Sequence, residues 1–377
     1  MRHARGLFLI VIIGAIILGR FWQPAAAAPA KPYTILWQLP GTGQASLAPA
    51  VSPWGDVFLV TGKSLLRLSP GGQKFWEFPA QEKLVSRPVF FDDGSAFVAG
   101  TRGLYEVKPY GRPGWSFALL TGEKSSSNIS LNLARGPGDT FYLLLGESLY
   151  NVAPRRNMIW YVGKSDYPVT VDATRQLVFV AWNRSGGTTL EALGDNGQAR
   201  WRRGFPEQRE VHLALSPDGL TLYASMVPGK PDKFNRLALY ALDAGNGAVL
   251  WSRDFSTFKD LSAPALAPDG TALYLVVGKE RVYGLDTRDG REIFNNILLD
   301  LTGLEPAADS RGLVYVPGKK RLYALSASTG RLLWDAEFDG GVRAAPAVGG
   351  DGLTVYLVDG KGTLYALQND YKGIPNL

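Results

Sequence analysis

The segment Leu239-Tyr240-Ala241-Leu242-Asp243-Ala244-Gly245-Asn246-Gly247-Ala248-Val249-Leu250-Trp251 decides the fold. It reads as a short strand, a tight turn rich in Asp and Gly, and a second strand ending in Trp. The same strand recurs at Leu322–Leu325 and Leu364–Leu367, with variants at Leu65–Leu68, Leu104–Val107, Leu149–Val152, Leu190–Leu193 and Val282–Leu285. Upstream of most copies lies a small-Pro-apolar strand, as at Ala48-Pro49-Ala50, Ala263-Pro264-Ala265 and Ala345-Pro346-Ala347. A turn such as Pro268-Asp269-Gly270 then leads into a β-branched and aromatic strand such as Leu273–Val277. Each unit is therefore four short strands, and no segment carries a helical period.

The aromatic residues that close the units are Trp37, Trp76, Trp115, Trp160, Trp201, Trp251, Phe294 and Trp334, at spacings of 39, 39, 45, 41, 50, 43 and 40 residues. A period near 40–45 with four strands per unit is the signature of a propeller blade. The ends complete the count. Leu364–Leu367 has no Trp strand after it, and Tyr33–Leu39 carries Trp37 with no strands before it. The expected fold is all-β: an eight-bladed β-propeller whose last blade takes its fourth strand from the N-terminus, which removes two open sheet edges.

Residues 29–377 are expected to form that single domain. Residues 1–28 read as a secretory signal peptide: Arg2 and Arg5, then the apolar run Leu7–Gly19, then the small residues Ala25–Ala28. The competing reading is an uncleaved membrane anchor. Either places the remainder of the chain outside the cytoplasm. The net charge of +6 falls to +3 without Arg2, Arg5 and Arg20, and no run of five basic residues occurs. That excludes a nucleic-acid partner. The chain has no Cys, and its two His are His3 and His212. Disulfides, thiolate nucleophiles and His-pair zinc sites are thereby excluded.

Residues Tyr240–Trp251 resemble the tryptophan-docking motif of quinoprotein-type (PQQ-like) propellers, Ala-x-Asp-x-x-x-Gly-x-x-x-Trp. Tyr323–Trp334 repeats it with Ser326 for Asp, and Tyr283–Phe294 with Phe294 for Trp. Gly stands four before the aromatic at Gly72, Gly111, Gly197, Gly247, Gly290 and Gly330, whereas Arg156 takes that place before Trp160 and predicts a different turn. The resemblance implies structural docking for all eight aromatics. Trp54 and Trp182 fall outside the register, and Trp54 reads as a packing cover. The repeat serves both dehydrogenases and non-catalytic scaffolds. The dehydrogenases are implied to use a quinone, a metal ion, a catalytic Asp and usually a vicinal disulfide. Here there is no Cys, the carboxylates are scattered, Asp92, Asp93 and Asp243 read as turn residues, and no nucleophile can be placed beside His212. No catalytic residue, metal or cofactor is therefore assigned. At repeat level the chain also resembles the propeller lipoprotein family of the outer-membrane β-barrel assembly machinery, whose lipidated Cys has no counterpart in this sequence.

The expected function is a secreted or surface-exposed non-catalytic scaffold that binds another extracytoplasmic protein or envelope component as a monomer. The N-terminal segment is its only membrane contact, if uncleaved. An extracellular sensor or polysaccharide-binding module, and a quinone-dependent dehydrogenase, are the alternatives. In an antiparallel four-stranded blade, the interblade links and the turns between strands two and three emerge on one face, here called the link face. The extra length falls there, in blades three to five: Phe117–Asn128, Asn183–Thr188, Arg202–Glu210 and Val227–Arg236. Loops on a rigid scaffold usually carry binding. Arg184, Arg202, Arg203, Arg209, Lys230, Lys233 and Arg236 stand against Glu207, Glu210 and Asp232, which favours an acidic partner. Arg87, Tyr167, Glu305 and Arg343 precede or open inner strands and are expected to form a polar ring at the channel mouth.

Overall fold

The Leu-Tyr-Ala-Leu segments form the third strand of each blade, the first leucine packing toward the next blade and the second toward the preceding one, as Leu239 and Leu242 do. The computed structural model describes residues 32–41, 47–118, 131–184, 186–229, 236–255 and 258–370. The assigned leader 1–28, the link residues Lys124–Asn128, and the candidates Lys230 and Lys233 lie outside the described residues. Every sheet is four-stranded and antiparallel. In chain order, blade 1 runs Ala50–Pro79, blade 2 Val89–Ala118, blade 3 Leu131–Lys164, blade 4 Thr170–Phe205, blade 5 Gln208–Asp254, blade 6 Ala265–Ile297 and blade 7 Ala307–Glu337. Blade 8 joins Ala347–Val348, Thr354–Val358 and Leu364–Asn369 to Tyr33–Leu39 as its outer strand. The register runs from Tyr33 opposite Asn369 to Leu39 opposite Leu364. The eight-bladed ring closed by the N-terminal strand is thus the observed fold.

The core has no centre; it is a set of slabs between neighbouring blades. One slab packs Phe179, Leu190, Ala192 and Trp201 of blade 4 against Val211, Leu222, Ala224 and Met226 of blade 5. The slab at the closure packs Val57, Leu59 and Leu68 of blade 1 against Tyr356, Val358 and Leu364 of blade 8, with Trp37 beside them. A lone blade would leave both faces of its middle strands in water, so stability depends on neighbours.

Strand register explains the small residue in the repeat. Ala192 lies opposite Trp201, Ala241 opposite Trp251, Ala324 opposite Trp334 and Ala366 opposite Trp37. Gly284 lies opposite Phe294, and each of these pairs borders a β-bulge. In blades 1 and 3 a larger residue takes the place, Arg67 opposite Trp76 and Asn151 opposite Trp160. The ring then reaches over the glycine turn of the next blade. Trp76 Nε1 donates to Pro109 O at 2.7 Å, Trp201 to Ala244 O at 2.9 Å and Trp251 to Thr287 O at 2.9 Å. Gly247 has φ +73°, and a Cβ there would lie 2.5 Å from the Trp201 ring. Both the conformation and the close approach call for glycine.

Three interfaces solve the same problem differently. Before Trp160 the turn is a 3-10 segment, Pro154–Arg156, followed by Asn157 at φ 49°. Trp115 Nε1 donates to the Asn157 side chain at 2.9 Å instead of to a carbonyl. Phe294 has no donor, and Asn296 Nδ2 donates to Gly330 O in its stead. Blade 8 is split between two chain segments, so Trp334 Nε1 donates to Asn369 Oδ1 at 2.8 Å, and its ring packs 4.8 Å from Tyr33. The Asp370 N–H to Pro32 O bond at 2.9 Å ties the segments together. Trp54 is a cover: its Nε1 donates to Asp56 at 2.9 Å, and its ring meets Phe90 edge-on at 5.7 Å.

Deleting residues 29–40 should lower the melting temperature by roughly 10 °C, from loss of one outer strand and one docking ring. An unchanged melting curve would be incompatible with the closure. Trp201→Ala should cost about 3–5 kcal/mol in chemical denaturation. Gly247→Ala should cost about 1–3 kcal/mol through strain and the blocked ring.

Candidate functional site

The innermost strand sets what faces the channel, and its length varies around the ring. It has two residues in blades 1, 2, 6, 7 and 8, but blade 5 extends it to eight, Gln208–Leu215. Blade 4 lengthens its second and third strands to Leu177–Arg184 and Gly187–Gly194, and blade 5 its second to Thr221–Pro228. The extra length of blades 4 and 5 therefore appears partly as longer strands that raise the link face.

The basic side chains there are matched by acids. Arg202 Nε lies 2.9 Å from the buried Glu191, and Arg184 lies 4.0 Å from the same carboxylate with its guanidinium 3.9 Å over the Trp182 ring. Arg209 pairs with Asp260 at 2.9 Å and Glu210 at 3.4 Å, and Arg236 pairs with Asp254 at 2.6 Å. Arg203 reaches across to Gly247 O at 3.2 Å, as Arg253 does to Gly290 O at 3.2 Å, so both brace docking turns. Arg184, Arg202, Arg209 and Arg236 thus each pair with an acid, whereas Lys230, Lys233 and Asp232 of the expected basic surface lie outside the described residues. Glu191 and Asp254 lie on strands, which a count of loop residues leaves out.

A cavity of about 440 Å³ opens at the channel mouth. Glu210 and His212 of blade 5, Asp260 and Ser262 of the next link, Lys279 of blade 6 and Glu305 before blade 7 line it. Asp260 is shared by Arg209 at 2.9 Å and Lys279 at 3.6 Å; His212 Nε2 lies 3.7 Å from Glu210. Burial pushes the His212 imidazole below its ordinary pKa, against the opposing pull of Glu210. Burial likewise raises the Glu305 carboxyl and lowers the Arg87 guanidinium, and each partly offsets the other's shift. Both side chains are nonetheless exposed to water. Protein mass on most sides with water at the tip is the environment of a lumen.

Local geometry sorts the expected polar ring. Ser86 Oγ accepts the Ala99 N–H at 2.8 Å, and Ser262 Oγ accepts the Val276 N–H at 2.9 Å. With that serine turned into its own blade, alternation turns the next residue, Arg87 or Ala263, to the lumen. In blade 4 one extra residue, Asp166, separates Ser165 from the pre-proline Tyr167. The alternation inverts. Tyr167 is buried, its hydroxyl donates to Gln208 O at 2.7 Å, and it accepts from Asn183 Nδ2 at 2.8 Å. Tyr167 therefore braces blades 4 and 5 and does not join the ring. Arg343 is exposed, two residues ahead of the pre-proline Ala345. Sequence reasoning missed Asp260 and Lys279, which lie on a link and a turn with no local motif.

A quinone with its metal ion would need converging oxygen donors. Among the described residues no three His, Asp or Glu side chains converge for a metal ion, and the mouth carboxylates Glu210 and Asp260 are engaged by Arg209 and Lys279. The donor set does not fit that group.

The family model described as outer membrane protein assembly factor BamB matches residues 146–303 and 299–371. The outer membrane protein assembly factor BamB of Shewanella oneidensis is 23% identical over 236 residues, 60% of this chain and 46% of that protein. The match thus spans about half the length of that curated relative. BamB from Moraxella catarrhalis superposes with a TM-score of 0.67 at 14% identity, covering 89% of this chain and 99% of that one. Quinohemoprotein alcohol dehydrogenase from Comamonas testosteroni gives 0.65 at 14% identity, covering 92% and 78%. At such identities the superpositions show a shared fold alone. With residues 146–371 matched by the model, the chain belongs to the PQQ-like repeat propeller family of the outer membrane protein assembly factor BamB.

Proposed function

We propose that this propeller is a non-catalytic scaffold of the cell envelope that binds another extracytoplasmic protein, in the outer-membrane protein assembly that its family's name describes. The family match over blades 4 to 8 carries the reading. Its localisation would follow from the leader assigned to residues 1–28. The docking surface would be the raised link face of blades 4 and 5, where strands carry Arg184 and Arg209 and Arg236 stands just ahead of the strand Ala238–Asp243. Their ion pairs with Glu191, Asp260 and Asp254 suit a partner presenting both signs of charge. The fold is also that of quinone-dependent dehydrogenases, and catalysis is the reading to be set against the scaffold.

Replacing residues 229–236, beyond the buried Val227 and the end of its strand, by a short Gly-Asn turn should leave folding intact. It should also reduce recovery of an outer-membrane assembly component, identified by mass spectrometry from solubilised envelopes. Equal recovery by the intact and altered proteins would place the partner elsewhere. Added pyrroloquinoline quinone and Ca²⁺ should give no dye-linked alcohol or sugar oxidation above background, and turnover would establish the enzyme instead.

A further inference from the structure

One groove between blades departs from its neighbours. It lies on the face opposite the link face, where the turns between strands one and two and between strands three and four emerge. Between blades 6 and 7 it holds a cavity of about 300 Å³. Ala308 lines it, as the second residue of the innermost strand of blade 7. That residue packs toward the preceding blade, and in blades 1, 2, 6 and 8 it is Val51, Phe90, Leu266 and Val348. Ala267, Ala272 and Ala327 also line the cavity, where the groove between blades 5 and 6 has Ser216, Thr221 and Thr287. The docking ring of this interface is Phe294 where its neighbours have Trp251 and Trp334. Each of these residues is smaller or less polar than its counterpart, so the groove is wider at its base and apolar.

The same cavity contains an acceptor short of a donor. Three residues before the docking glycine, Ala244 O accepts Trp201 Nε1 at 2.9 Å, and Thr287 O accepts Trp251 Nε1 at 2.9 Å. Thr287 O also accepts the Tyr223 hydroxyl at 3.4 Å. Ala327 is the matching residue of blade 7. Among the described residues its carbonyl receives the Tyr274 hydroxyl alone, at 3.4 Å, because Phe294 has no N–H and Asn296 donates to Gly330 O instead. Tyr274 is 2% exposed and its hydroxyl has no closer partner, although such bonds are ordinarily about 2.7–2.8 Å long. Tyr274 and Ala327 both line the cavity. The acids of the lining are already engaged. Asp309 accepts the Tyr315 hydroxyl and the Arg311 and Leu313 N–H groups, each at 2.9 Å, and Asp269 Oδ1 accepts the Thr271 N–H at 3.0 Å and its hydroxyl at 2.8 Å. Alanine walls with one under-supplied carbonyl suit an apolar ring that carries a single donor.

We propose that the groove between blades 6 and 7 binds a small planar N–H heteroaromatic of the indole class, its N–H on Ala327 O and its ring among Ala267, Ala272, Ala308 and Tyr274. The site is independent of the scaffold reading, since it lies on the face opposite the proposed docking surface.

The test is calorimetric titration of the full chain with indole, and with benzofuran and 1-methylindole, which keep the ring system and lack the N–H. Indole should bind with a Kd below about 1 mM and at least about tenfold tighter than either control, as a buried carbonyl left without its donor requires. Phe294→Trp offers its own Nε1 to Ala327 O, as Trp251 does to Thr287 O, and should weaken indole binding at least about tenfold. Ala308→Leu gives blade 7 the residue of blade 6 and should weaken indole and both controls alike by occupying the space. Circular dichroism and melting curves identify the folded variants. The proposal fails if indole gives no saturable heat at millimolar concentration, or if it binds no tighter than benzofuran, comparisons that need no variant. It also fails if either folded variant binds indole unchanged. A capped Gly-Trp-Gly peptide that outbinds indole would overturn it too, by assigning the groove to a protein side chain.

Discussion

An indole ring laid over the next blade's glycine turn is the interaction on which this ring depends. It combines three demands in one residue. The face covers the turn, which must be glycine at Gly247 for both conformation and space. The edge donates a hydrogen bond to a carbonyl that no strand would satisfy. The other face rests on a small residue of its own blade, such as Ala192 or Ala241. Because each ring contacts the following blade, the interfaces form a cycle in which no blade is terminal. The exceptions show which demands are separable. Phe294 and Asn296 divide ring and donor between two side chains, and Asn157 supplies an acceptor where the glycine turn is missing.

That cycle gives the lumen its properties. Short innermost strands, fixed by prolines and by serines such as Ser86 and Ser262, hold pre-proline side chains at one level around the channel. On the link face the same frame carries ion pairs, as at Glu191 and Asp260.

The fold was legible in the sequence because its cause is periodic. Ala, Gly and Trp recur in fixed register, and the orphan strand Tyr33–Leu39 announced the closure. Even Arg156 gave warning of the 3-10 turn. The site was less legible, because its members come from different blades. Asp260, Lys279 and Glu305 are far apart in sequence and share no motif. The one inserted residue, Asp166, reversed the orientation of Tyr167, a single step in a period of two that composition cannot register. The acids that pair with Arg202 and Arg236, Glu191 and Asp254, sit on strands, where charge counts over loops do not look.

The split blade also orders events in time. Thr34 and Asp370 meet at a sequence separation of 336. The strand made first is therefore the last to be paired, and it is Tyr-Thr-Ile-Leu-Trp-Gln-Leu, a sequence that would readily pair with any open sheet edge. Until Leu364–Asn369 has been synthesised, an incomplete ring must keep that strand idle. The gap beside blade 1 meanwhile exposes Val57, Leu59 and Leu68. Biogenesis thus contains an obligatory interval with one sticky strand and one open slot in the same molecule. Intramolecular capture ends it, whereas exchange between two nascent chains would produce linked rings.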